Sequence, residues 1–239
     1  MLEKLEKKYE FDFYAGVSAG AIIACLHANG MKSADIWNLL QKTKLFSLGF
    51  DLGKTNFGLI QGKKIHELFS KIFQGKRLED LPMPIFIGAT DFKTGEKVFL
   101  SRGRIADALR ASISVPIIFE PFFHPTYRKY LMDGGPSENL PLSVTLKKYK
   151  GNKIFALDTS WMDAEINFEE KSWFGKAKNI RKILVHTIKI LYQNQKQELI
   201  HDPRVTHIEI SIKDYDALDV FKLKEIYKQG QTFALHTKI

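Results

Sequence analysis

Cysteine is nearly missing from this 239-residue chain. Cys25 stands alone, so no internal disulfide braces the fold, and a reducing compartment is compatible. In its alanine-rich surroundings, a small buried packing residue is the expected role. The apolar stretch from Ala15 to Ala28 falls short of the ~20 residues a bilayer-spanning helix needs. The first ten residues, MLEKLEKKYE, are charged throughout, so no signal peptide is expected there. Zinc-ligand spacing, an RNP-like aromatic signature and a basic tail are lacking, as are repeats, low-complexity tracts and a clear linker. What is present is the 44% hydrophobic and 26% charged content of an ordinary globular protein. The length suits one domain over residues 1–239, with two small domains as the alternative. A formal charge of +9 suits nucleic acid or an anionic lipid surface. Without any nucleic-acid signature the first reading rests on charge alone, so no nucleic-acid partner is expected. The expectation is a soluble, cytoplasmic chain, with peripheral membrane contact left open.

Chemistry enters at FYAGVSAGAI, residues 13–22. FDFYAGV is short, aromatic and apolar, which reads as a buried strand. SAGAIIACLHANG reads as a helix with Gly30 as its C′ residue. Between them lies a G-x-S-x-G pattern: Gly16, Ser18 and Gly20. The glycines permit a sharp strand-to-helix turn that presents Ser18 Oγ at the positive end of a helix. Alone the pattern is weak, because small residues also let a helix pack tightly on a sheet. The strand before and the helix after favour a nucleophile.

Farther along, SADIWNLLQKT and KKIHELFSKIF have helical spacing, with Ser33 as a candidate N-cap. FSLGFDLGKTNFGLIQG reads as a loop of glycines and bulky apolar residues, suited to a flap near the site. PIFIGATD and EKVFLS read as strands, RIADALRASIS as a helix, KYLMDGG as strand then turn, and LPLSVTLKKYKG as a helix. KIFALDTS, a long helix from about Ser172 to Ile200, VTHIEISI and a closing helix complete the alternation. Such alternation predicts an α/β fold with a mostly parallel sheet covered by helices.

An elbow serine needs a base and oxyanion donors. The α/β-hydrolase order, with strands and an oxyanion loop upstream, has no room ahead of Gly16. His124 lies in a proline-rich loop, and His186, His201, His207 and His236 fall in amphipathic helices or strand edges. Each of these histidines reads as a surface or packing residue. Asp133, in LMDGGPSENLP, follows an apolar strand and precedes Gly134 and Gly135. Little side-chain bulk then surrounds the carboxylate, although an ordinary Asp-Gly turn looks the same.

Taken together, GVSAGAI and LMDGGPSENLP resemble the nucleophile elbow and Asp-Gly-Gly segment of the patatin-like phospholipase family. ALRASISVPIIFEPF is similar to the family's connecting stretch, and GATDFKTGEKVFL to its Thr-Asp strand and hairpin. These segments stand in family order over about residues 1–160, and residues 161–239 would add C-terminal helices and a strand of the same domain. The resemblance implies a three-layer α/β/α fold and a Ser18–Asp133 dyad with Ala19 N–H as one oxyanion donor. It also implies hydrolysis of phospholipid or other glycerolipid esters without metal or cofactor. The family's Gly-Gly-Gly-x-Lys/Arg-Gly loop does not occur before Ser18. The chain is therefore expected to start inside the family domain, lacking the first strand and oxyanion loop, and to be a slow enzyme. An internal methionine and a natural truncation both remain open as the reason. KSWFGKAKNIRKILVHTIKILYQNQKQ is a basic amphipathic pattern; a sheet-covering helix with a solvated face is preferred over membrane contact. A catalytically silent membrane- or partner-binding protein that keeps the fold is the alternative function.

Overall fold

The computed structural model describes residues 1–43, 60–116, 118–160, 199–212 and 222–238, with single positions 183, 187, 190 and 215. Two compact units emerge, Leu2–Gly151 and Asn152–Ile239, with Met1 grouped with the second. The first holds α1 (Leu2–Leu5), β1 (Tyr14–Val17), α2 (Ala19–Ala28), α3 (Ser33–Thr43), α4 (Lys63–Phe73) and β2 (Ile85–Asp91). It continues with β3 (Lys97–Leu100), α5 (Ile105–Ser112), β4 (Phe122–His124), β5 (Lys129–Asp133), α6 (Gly135–Glu138) and α7 (Leu142–Lys148). The second contains β6 (Ile154–Ser160), β7 (Val205–Ser211) and α8 (Leu223–His236).

Strand β2 organises the first unit. β1 pairs with it in parallel, Val17 opposite Gly88, while β3 pairs antiparallel, Phe99 opposite the same Gly88. A strand has two edges, so β1 and β3 flank β2 on opposite sides. β5 pairs antiparallel, Asp133 opposite Ala89, and β3 holds that same residue through Val98. β5 therefore shares with β1 one edge of β2, and the two strands meet almost end to end along it. β4 pairs with β5 and ends the sheet.

The α/β class expected from the sequence holds. The pairings are mixed: β1–β2 and β6–β7 are parallel, whereas β3, β4 and β5 pair antiparallel. Connection length decides which. Short turns join β2 to β3 and β4 to β5, too short for the crossover a parallel pair requires.

Burial fixes how the helices lie. Ala21, Ile22, Cys25 and Leu26 of α2 pack with Phe69 and Phe73 of α4, Ile85, Ile87 and Ala89 of β2, and Leu109 of α5. Removing that apolar surface from water stabilises the unit by about 25 cal/mol per Å² buried. Cys25 sits wholly inside, and burial pushes its thiol far above the ordinary range, which leaves it the inert packing role expected. Helix α2 ends as its sequence predicts. Gly30 at φ +92 sends its N–H to the carbonyl of His27, and Met31 sends its own to Leu26. That pair of bonds closes the last turn as a Schellman motif.

Three readings need comment. The stretch around His124 forms strand β4, with His124 buried; the flanking prolines, Pro121 and Pro125, disguise so short an edge strand as loop. Ser33 opens α3 but turns its hydroxyl and its amide to the Glu6 carboxylate, at 2.6 and 3.2 Å. Most of the loop predicted over 46–61, and nearly all of the long helix predicted over 172–200, lie outside the described residues.

Candidate active site

The elbow has the backbone its motif calls for. Ser18 stands at φ 52, ψ −125 as the N-cap residue of α2. That conformation is sparsely populated for a residue with a side chain and persists only where neighbours hold it. Gly16 allows it sterically: a Cβ there would lie 2.7 Å from the carbonyl oxygen of Gly20 and 2.8 Å from the backbone of Ala21. Helix α2 thus rests directly on β1. At Gly20 an added Cβ would meet nothing within 4 Å. The space beside the serine on that side is open. Ser18 is half-buried, and Ala19 and Gly20 are exposed. Their N–H groups belong to the first turn of α2, which has no intrahelical acceptors for them, and such a helix start favours negative charge.

What holds the elbow was not visible in the sequence. The amide of Ser18 donates to Ser112 Oγ at 2.9 Å, and Ser112 Oγ donates to the carbonyl of Gly88 at 2.7 Å. Ser112 is fully buried at the end of α5. One hydroxyl therefore ties the turn after β1 to the middle of β2. It also commits the amide of Ser18, leaving Ala19 and Gly20 as the elbow donors open to an oxyanion.

Asp133 is equally constrained, at 1% exposure. Its N–H donates to the carbonyl of Ser114 at 2.9 Å, and its carbonyl accepts from Thr90 Oγ1 at 2.8 Å. Carboxylate oxygen Oδ1 accepts from the amide of Gly135 at 2.8 Å. Gly134 matters through packing: a Cβ there would lie 2.6 Å from the carbonyl oxygen of Gly88 and 3.0 Å from Val17 Cγ1. The residue after Asp133 thus packs on the residue before Ser18. Because β1 and β5 share one edge of β2, Val17 faces Gly88 and Asp133 faces the adjacent Ala89. The structure brings together Gly16, Ser18, Ala19, Gly20, Asp133, Gly134 and Gly135, the residues singled out in the sequence.

Beneath this site α5 is buried on every side, although its sequence has the amphipathic pattern of a half-exposed helix. Its charges are answered locally. Asp107 meets His66 Nε2 at 2.8 Å, and Arg110 Nη2 donates to the carbonyl of Gln61 at 2.6 Å. Burial pulls the Arg110 guanidinium down to about 10, with Glu120 acting the other way. Arg110 also bonds Ser114, whose carbonyl receives the Asp133 amide. Among the described residues, no three or more His, Cys, Asp or Glu side chains converge as a metal-ligand set.

Fold and site define a class: an α/β protein in which a strained serine elbow abuts an Asp-Gly-Gly turn along one edge of a central strand. Comparison then gives the family. The family model described as patatin-like phospholipase matches residues 1–146, and the chain belongs to that family. An uncharacterized NTE family protein of Mycobacterium tuberculosis is 31% identical over 156 residues, covering 64% of this chain and 26% of that protein. A second protein so named from the same species is 33% identical over 141 residues, covering 58% of this chain and 38% of the other. A Yarrowia lipolytica protein named lysophospholipase NTE1 is 24% identical over 243 residues, covering 93% of this chain and 17% of its own length. The chain spans well under half the length of these relatives.

Proposed function

We propose that this protein is a lipid acyl hydrolase, an esterase of phospholipase A or lysophospholipase type, in which Ser18 is the nucleophile and Asp133 the base. The single observation that carries the reading is the shared edge of β2, where the ends of β1 and β5 converge with Gly134 packed on Val17. In the first step Ser18 Oγ bonds to the ester carbonyl carbon while its proton passes to the Asp133 carboxylate. Collapse of the tetrahedral intermediate expels the alcohol, which takes that proton. Water, deprotonated by the same carboxylate, then bonds to the acyl carbon, and the fatty acid leaves as the Oγ–acyl bond breaks and Ser18 Oγ takes the proton back from Asp133. An ordinary aspartate, with a pKa of about 3.9, is a weak base for a hydroxyl. Stabilisation of the oxyanion must therefore supply much of the rate, and the Ala19 and Gly20 N–H groups in the first turn of α2 are the donors assigned to it. The dyad itself calls for no metal. Membership in the patatin-like phospholipase family and the relative named a lysophospholipase support the substrate class.

The test is direct. A fluorophosphonate probe should label the parent protein and neither Ser18→Ala nor Asp133→Asn, and hydrolysis of lysophospholipid and short-chain esters should vanish in both variants. Turnover that survives Ser18→Ala overturns the assignment. Folded parent protein that neither labels nor hydrolyses favours a silent binding protein built on the same fold.

A further inference from the structure

Three aromatic side chains form a row that the proposed chemistry leaves unused. Phe123 of β4 is registered opposite Tyr130 of β5, their rings 5.2 Å apart and edge to face. Leu131 is opposite Asp91, so the next pair outward is Tyr130 with Phe92, and the Phe92 amide does donate to the Tyr130 carbonyl at 2.9 Å. Residues opposite one another in register share a face of the sheet. Phe123 and Tyr130 therefore share one face across β4 and β5, and Phe92, in the turn that follows β2, is held beside Tyr130 by its backbone. They are 52%, 54% and 47% exposed. Single exposed aromatics are unremarkable, but a contiguous row of them marks an interaction surface.

Charge around the row indicates what it meets. Lys93 and Arg128 are exposed on the two turns beyond it, and Lys129 is exposed beside it. Of the acids in these segments, Asp91 is buried and held by Lys129 at 2.6 Å, which leaves Glu96 as the exposed one. The chain as a whole carries +9. Aromatic rings flanked by cations suit the headgroup layer of an anionic membrane, where rings settle at the interface and cations face lipid phosphates.

We infer that the Phe92–Tyr130–Phe123 row, with Lys93 and Arg128, is a docking surface for anionic lipid membranes. The binding claim does not depend on hydrolysis, so it is tested on Ser18→Ala protein. Co-sedimentation with phosphatidylcholine vesicles containing phosphatidylserine should show binding that weakens in high salt and is much weaker on phosphatidylcholine alone. Phe123→Ser with Tyr130→Ser should lower the partition by about tenfold or more. Lys93→Glu with Arg128→Glu should lower it by about fivefold per charge removed. A second measurement guards against misfolding. Phe123→Cys carrying an environment-sensitive fluorophore should brighten on the anionic vesicles; the other thiol, Cys25, is fully buried. Unchanged partition in both double variants, or a silent fluorophore at bound protein, overturns the proposal. So does a dimer of the parent that the same substitutions dissolve, since the row would then be a contact between two copies.

Discussion

Ser112→Ala is the substitution that most sharply tests how the elbow is held. A single oxygen accepts from the Ser18 amide at 2.9 Å and donates to the Gly88 carbonyl at 2.7 Å, in a side chain with 0% exposure. Alanine removes both bonds while keeping the backbone and almost all of the volume. A buried polar group left without its partner costs about 1–3 kcal/mol. The Gly88 carbonyl sits within the sheet, so the Ser18 amide should bear most of the loss, and stability should fall by about 2 kcal/mol. The catalytic effect should be larger than stability alone predicts. Ser18 occupies a strained conformation, and without its tether the turn relaxes toward ordinary backbone angles. A displacement near 1 Å at a reacting atom costs about 10²-fold. Denaturant unfolding would measure the first effect, and the rate of fluorophosphonate labelling under fully folding conditions the second. Stability within about 0.5 kcal/mol of the parent, together with labelling within a factor of about two, would refute the argument that Ser112 holds the elbow.

The two motif glycines should separate cleanly. Gly16→Ala drives a Cβ into the α2 backbone and should destabilise by about 3 kcal/mol, read in the same unfolding assay. Gly20→Ala opens onto free space and should fold as well as the parent or better by about 0.5–1 kcal/mol, with any loss confined to substrate turnover. Lys129, against the opposing effect of burial, holds the Asp91 carboxyl below its ordinary range, helped by the Lys93 amide. A depressed folded value means a contribution fully present above the unfolded pKa and lost as pH falls through the folded one. Asp91→Asn should therefore melt lower than the parent near neutrality, with the gap closing in acid; a gap that widens in acid would contradict the assignment.

The two motifs were legible because each carries its own local physics. A strand, two glycines and an alanine-rich helix announce the turn at Ser18, and an apolar strand ending in Asp-Gly-Gly announces the turn at Asp133. Gly30 could be read as a helix end because only its φ suits that place. Three further features stayed hidden because they depend on pairings distant in sequence. Nothing in ALRASIS marks Ser112 as the tether of an amide 94 residues away. Nor does RIADALRASIS announce that Asp107 and Arg110 are buried, the first against the ring of His66 and the second against the carbonyl of Gln61 and the hydroxyl of Ser114. The β2–β3 hairpin was legible in GATDFKTGEKVFL, whereas the antiparallel pairing of β5 with β2 and β4 was not, because Pro121 and Pro125 obscured β4. The aromatic row is likewise a property of register, since Phe92, Phe123 and Tyr130 are scattered singly along the chain.

Because β2 is the ruler on which both halves of the site are measured, order of synthesis has a consequence for folding. The elbow strand leaves the ribosome long before its template strand, its tether or its carboxylate turn exist. Until β2 arrives, β1 lacks the strand against which it is registered, and until α5 arrives the strained turn lacks the hydroxyl that accepts its amide. Contacts of such separation form slowly, since loop closure must precede their reward. The segment FDFYAGVSAGAIIACLHANG must therefore wait for β2 with the apolar face of α2 uncovered by it, a species prone to clump. Folding yield should respond to chaperone supply and to translation speed over residues 30–112 more than to any change at the serine itself.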